Sequence, residues 1–187
     1  MLRRLTLAAT LLALPAFAGS IKGRLKLAGV PAESMVVYLD QVAPDRFELP
    51  KTPQRLSQRG ARFSPAVLPI VQNAEVDMTN DDWVTHSVFS KSDPKTFDLG
   101  LYPKESKKTV KFETLGRVDV FCSIHPRMKA VILVLQNPFF TRPDDSGLFL
   151  LENVPPGSYT LKVFQPDGPE RTVSVKVPEK GDAVASL

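Results

Sequence analysis

The residues best equipped for chemistry sit together in Cys122-Ser123-Ile124-His125-Pro126-Arg127-Met128, a C-x2-H-x2-M cluster that directly follows the expected strand from Gly116 to Phe121. A thiolate, an imidazole and a thioether in so short a segment form a copper-biased donor set. Cu(I) favours sulfur, Cu(II) also accepts imidazole nitrogen, and zinc rarely takes methionine. A copper electron-transfer site uses two histidines and one cysteine in a trigonal plane with methionine as a long axial donor, so a second histidine is required. The chain has one other, His86, in Trp83-Val84-Thr85-His86-Ser87-Val88-Phe89. Both histidines and the single cysteine therefore enter one candidate metal site made of His86, Cys122, His125 and Met128. Each residue alone has an ordinary alternative as a turn histidine, a strand-edge histidine, an inert thiol or a core methionine. Their joint spacing favours ligation.

Such a site needs stiff elements to hold segments far apart in sequence. Seventeen prolines and short β-branched or aromatic runs, with no sustained helical period, predict an all-β sandwich or barrel. Strands are expected over residues 20–27, 34–39, 75–80, 86–90, 107–112, 117–122, 130–136, 148–151, 158–165 and 171–177. Turn signals at Pro50-Lys51-Thr52-Pro53, Asn80-Asp81-Asp82 and Pro155-Pro156-Gly157 punctuate them. Asp81 and Asp82, side by side before a strand, read as turn formers rather than acid/base groups. Trp83, the only tryptophan, is expected to pack against a core. Residues 54–137 hold all the histidine and cysteine, and the flanking parts lack metal-binding chemistry of their own.

The opening residues carry Arg3 and Arg4, an apolar run from Leu5 to Leu14 and Ala16-Phe17-Ala18, the pattern of a secretory signal cut after Ala18. The run is shorter than the roughly 20 apolar residues of a membrane span, so no span is expected in the mature chain. Removing residues 1–18 takes away two arginines and no acid, lowering the formal charge from +4 to +2. Lys104, Lys107, Lys108 and Lys111 have no interleaved aromatics and read as a solvated strand face, so no nucleic-acid partner is expected. In an exported chain Cys122 cannot belong to an internal disulfide framework, and metal ligation accounts for it. No Ser/His/Asp arrangement, phosphate loop or second metal cluster is present, and no histidine remains for a catalytic copper, so enzymatic activity is not expected.

The segment from Arg62 to Gln136 resembles the cupredoxins, the plastocyanin-like blue copper proteins, and its short ligand loop looks most like that of amicyanin. The match rests on Phe63-Ser-Pro-Ala-Val-Leu-Pro-Ile, Val76-Asp-Met-Thr-Asn80-Asp-Asp, His86-Ser-Val-Phe-Ser, Phe97-Asp-Leu-Gly-Leu-Tyr and Gly116-Arg-Val-Asp-Val-Phe-Cys122. The resemblance implies a Greek-key sandwich with one type 1 copper ion at one end, His86 on one loop and the other three ligands on the loop between the last two strands. The family usually has asparagine after the first histidine, tying the ligand loops together; here Ser87 must do this with one hydroxyl. Asn73 stands where the family often has glycine, and asparagine tolerates a left-handed turn.

The flanks, in Gly19-Ser-Ile-Lys-Gly-Arg-Leu and Asn153-Val-Pro-Pro-Gly-Ser-Tyr-Thr-Leu-Lys-Val, are similar to carboxypeptidase-regulatory-like, transthyretin-like sandwiches. This resemblance implies a cupredoxin domain at 54–137 inserted into a second, smaller sandwich built from 19–53 and 138–187, as in plastocyanin-like proteins associated with methylamine utilisation. The expected function is periplasmic electron transport by a monomer that meets a redox partner briefly, a cytochrome or a copper or quinone protein. Copper delivery or sensing, and a structural envelope module with a vestigial site, are the alternatives.

Overall fold

The structure is a computed structural model, describing residues 19–43 and 47–187. The expected secretory segment, residues 1–18, lies outside the described residues. The described residues are all-β, with one 3-10 turn at Ala32–Ser34. No helix among the described residues is long and apolar enough to cross a membrane.

The middle of the chain forms two sheets. One runs β4-β3-β6-β9, from β3 (Gln54–Gln58), β4 (Phe63–Ser64), β6 (Glu75–Asn80) and β9 (Lys107–Lys111). The other runs β5-β11-β10-β7-β8, from β5 (Val67–Val71), β7 (His86–Ser92), β8 (Lys95–Tyr102), β10 (Gly116–Phe121) and β11 (Lys129–Leu135). Their facing sides enclose a core including Leu56, Met78, Val88, Phe112, Val118, Val120 and Ile132. Inward residues alternate along β10 and β6, the period-2 pattern that sets which face of a strand is buried.

The two ends of the chain build the other two sheets together. Strand β1 (Gly19–Arg24) lies between β13 (Leu148–Val154) and β16 (Ala183–Ser186), and the last sheet runs β12-β2-β14-β15. Its strands are β2 (Val36–Leu39), β12 (Phe140–Thr141), β14 (Gly157–Phe164) and β15 (Arg171–Val177). Ile21, Val37, Leu39, Phe149, Leu161 and Val175 fill a second core between them.

Strand β11 explains how the two halves meet. Ala130, Ile132 and Val134 face the first core, whereas Val131, Leu133 and Leu135 pack with Val36, Tyr38 and Val67 in a third cluster. Both faces are covered, which is why the strand reads as a continuous apolar run rather than an alternating one. Each buried valine, leucine or isoleucine here contributes roughly 1.5–3 kcal/mol.

Most expected strands are present, with 75–80 and 171–177 matching in both bounds. Strands β3, β8, β12 and β16 were not anticipated from the sequence. In β3 only Leu56 and Gln58 turn inward, and β8 is a sheet edge carrying Gly100. The phrase from Phe63 to Ile70 that carries part of the resemblance divides between β4 and β5, which join different sheets. Asn73 takes φ 70°, the left-handed turn its residue type allows.

Candidate metal centre

Strands β7 and β10 are antiparallel neighbours, paired through Phe89 and Phe121. The start of one therefore lies beside the end of the other. His86 is the first residue of β7 and Cys122 follows the last residue of β10, so sheet geometry brings together residues far apart in sequence. His125 belongs to the turn after Cys122, closed by the Met128 N–H donating to the His125 carbonyl at 2.9 Å.

The donor atoms converge. Cys122 Sγ is 3.8 Å from His86 Nδ1 and 3.8 Å from His125 Nδ1, and the two nitrogens are 3.0 Å apart. His86, Cys122 and His125 form a group that could hold a metal ion. Those three distances leave a common centre about 2.1 Å from each atom, the length at which a metal ion sits from imidazole nitrogen. One thiol and two imidazoles also suit a copper ion chemically, so the residues present fit the implied group. Met128 is buried and lies in the same core cluster as Cys122.

Burial is graded across the group. His86 is fully buried and Cys122 is 4% exposed, whereas His125 is half-buried and flanked by exposed Ile124 and Pro126. His125 is thus the donor nearest solvent. Burial pushes the Cys122 thiol up, but N–H groups of Ser87, Ile124 and His125 and the His125 side chain outweigh it and leave the thiol below its ordinary value. Hydrogen bonds to sulfur favour the thiolate, the form that binds metals.

Ser87 joins the two ligand segments. Its Oγ accepts the Ser123 N–H at 2.8 Å, lies 2.7 Å from Ser123 Oγ and is 3.9 Å from Cys122 Sγ. A single hydroxyl thus makes the loop-to-loop tie expected of this position.

Two readings of neighbouring residues need correction. Trp83 does not pack into a core: it is 84% exposed, in the bend before β7, with Lys104 Nζ 3.4 Å from its ring centre. A cation over the ring face supplies attraction even at an exposed site. Asp82 is more than a turn former. Its Oδ2 lies 3.0 Å from His86 Nε2, a contact the sequence signalled only as a carboxylate four residues ahead of a histidine. The Ala61 N–H first, then the His86 side chain, hold the Asp82 carboxyl down to about 2. Asp81 instead serves the outer sheet, bound by Ser57, Thr79 and Arg55. Buried Asn80, also missed from sequence, donates to the carbonyls of Val84 and Tyr102 at 2.9 and 3.1 Å and so pins the loop between β6 and β7.

No protein-family model matches the chain, and no curated protein matches it. Among solved structures it is similar to a purple cupredoxin from Nitrosopumilus maritimus, at 24% identity over 43% of this chain and 98% of that one, with a TM-score of 0.40. It is similar to a copper-containing nitrite reductase from Thermus scotoductus at 26% identity over 50% of this chain, with a TM-score of 0.43, and spans 24% of that protein. A reduced amicyanin variant is similar at 18% identity, over 46% of this chain and 86% of its own, with a TM-score of 0.42. In each of these three cases the match covers half of this chain or less.

Proposed function

We propose that this chain is an exported electron carrier that holds one copper ion through His86, Cys122, His125 and Met128. The observation that carries the reading is the convergence of one thiol sulfur and two imidazole nitrogens at separations of 3.0 and 3.8 Å. When bound, copper supplies a one-electron couple between its two common oxidation states. The chain's residues supply the rest. Cys122 offers a thiolate favoured by surrounding N–H donors, and His86 and His125 complete a plane already spaced to receive an ion. Met128, buried in the same core cluster as Cys122, would be the fourth donor, and its weak thioether bond would help tune the potential.

Ser87 and Ser123 hold the ligand segments in fixed register, which keeps rearrangement small between oxidation states. Half-buried His125, with Ile124 and Pro126 beside it, is the proposed electron port. Trp83 and Val84, just ahead of His86 in sequence, are also exposed. A small apolar patch of this kind suits brief docking with a redox protein. Export, a periplasmic address, a monomeric state and the division into an inserted copper domain and a split second sandwich belong to the same proposal. Separate cores and separate strand pairing support the division.

Titration of the purified, metal-free protein with Cu(II) tests the reading. One equivalent is expected to produce an intense visible sulfur-to-copper band that Cys122→Ser abolishes. Copper binding without that band would point instead to delivery or sensing.

A further inference from the structure

Two adjacent carboxylates before β7 have different partners. Asp81 faces Arg55, Ser57 and Thr79 on the sheet, whereas Asp82 faces His86. The Asp82 side chain has little freedom. Oδ2 accepts the Ala61 N–H at 2.8 Å, and Oδ1 accepts the Trp83 N–H at 2.9 Å. The Asp82 N–H donates to Asn80 Oδ1 at 3.0 Å, and Asn80 is itself fully buried. Ala61 belongs to the turn between β3 and β4, so the carboxylate is braced by a segment outside the ligand strands.

We infer that Asp82 is the positioning residue for His86, fixing its tautomer and ring orientation so that Nδ1 faces the metal before the metal arrives. A carboxylate has no hydrogen to donate, so the 3.0 Å contact requires the proton on His86 Nε2. Nδ1 then presents its lone pair toward Cys122 Sγ and His125 Nδ1, at 3.8 and 3.0 Å. Partners of this kind behind a ligating histidine raise its basicity as a ligand. The negative charge of Asp82 also favours the more highly charged copper ion and lowers the reduction potential. The inference rests on His86 being a ligand as proposed above, but its first consequence is visible without metal.

The test has two arms. In metal-free protein, nitrogen NMR of the two histidines, assigned with a His125→Gln variant and recorded above the imidazole titration range, reads the tautomer. Wild type is expected to hold the Nε2–H form. Asp82→Asn is expected to keep it through its amide oxygen, and Asp82→Ala to give a mixture. In copper-loaded protein, Asp82→Asn is expected to retain the visible band with a raised reduction potential. Asp82→Ala is expected to lower copper affinity by roughly 10–100-fold, as loss of such partners does. Should Asp82→Ala fail to fold, Asp82→Ser takes its place. An Nδ1–H form in wild type, an unchanged tautomer in the alanine or serine variant, or an unchanged potential in the asparagine variant would overturn the inference. A wild type that takes up no copper would sink the proposed function and leave the tautomer arm to decide this one.

Discussion

Ser87 Oγ accepts the backbone N–H of Ser123 at 2.8 Å, linking the first strand residue after His86 to the first loop residue after Cys122. Ser87 is 2% exposed, whereas Ser123, whose N–H the hydroxyl receives, is an exposed residue that water can reach once the hydroxyl is gone. The net worth of such a hydrogen bond is about 0.5–1.5 kcal/mol. Ser87→Ala is expected to destabilise the chain by that amount in urea unfolding. It is also expected to broaden the copper-dependent visible band, as the two ligand segments lose their tie. Ser87→Thr, which keeps the hydroxyl, is expected to lose less.

Met128 can be separated into packing and ligand roles. It is 1% exposed within the core that also contains Cys122, so Met128→Ala is expected to cost about 2–5 kcal/mol from cavity formation alone. Met128→Leu conserves volume and is expected to cost less than about 1.5 kcal/mol. As the proposed fourth donor, Met128 would stabilise Cu(II), so that same leucine variant raises the reduction potential. Voltammetry beside chemical unfolding distinguishes the roles. An unchanged potential would make Met128 a core residue only.

Trp83 gives a direct optical reading of the site's edge. As the only tryptophan, at 84% exposure, it is expected to emit as a water-exposed indole and to be quenched readily by acrylamide. Trp83→Ala is expected to cost about 0.5–1 kcal/mol, the worth of an exposed cation–π contact with Lys104. In the proposed docking role, the same variant slows electron exchange with a protein partner but leaves the visible band in place. A blue, poorly quenched emission would contradict the exposed placement.

Acid stability has a defined sign at Asp77. Hydrogen bonds from Lys107 first, then Thr109, hold its carboxyl below the usual range. The folded value is depressed, so the stabilisation is present above the unfolded carboxylate pKa near 3.9 and is lost as pH falls through the folded value. Lys107 is largely exposed, which limits the ion pair to under about 1 kcal/mol. Asp77→Asn is expected to flatten the acid limb of a stability–pH curve by that small amount and to leave stability above pH 6, the carboxylate range being passed, lower by a constant offset.

The split sandwich can be probed apart from the metal centre. Gly23 lies in β1 between Phe149 and Ala185, and an added Cβ would meet the Ala185 carbonyl and the Phe149 ring. Overpacking of this kind costs about 1–3 kcal/mol. Gly23→Ala is expected to lose that stability in urea unfolding without moving the copper band. A shifted band would show that the two halves are not independent.

Much of the fold was legible because its strands announce themselves. Alternation in β10 and β15 follows from one buried face, and the apolar run of β11 from two. Strands β3 and β8 escaped because their inward positions are few or half-buried, and β16 because Ala-Val-Ala-Ser carries little signal. At the centre, the meeting of His86, Cys122 and His125 followed from donor chemistry, because few residue sets leave so few alternatives. The contact from Asp82 to His86 was harder to read. A carboxylate before a strand is a common turn residue, and only the bend at Trp83 turns it back onto the ring.

The central claim is electron transfer at a copper held by these residues, and protein-film voltammetry of the copper-loaded chain tests it most directly. The account predicts a reversible one-electron couple that persists on repeated cycling and disappears in Cys122→Ser. Copper-loaded protein that shows no reversible couple, or loses its metal on reduction, would contradict it.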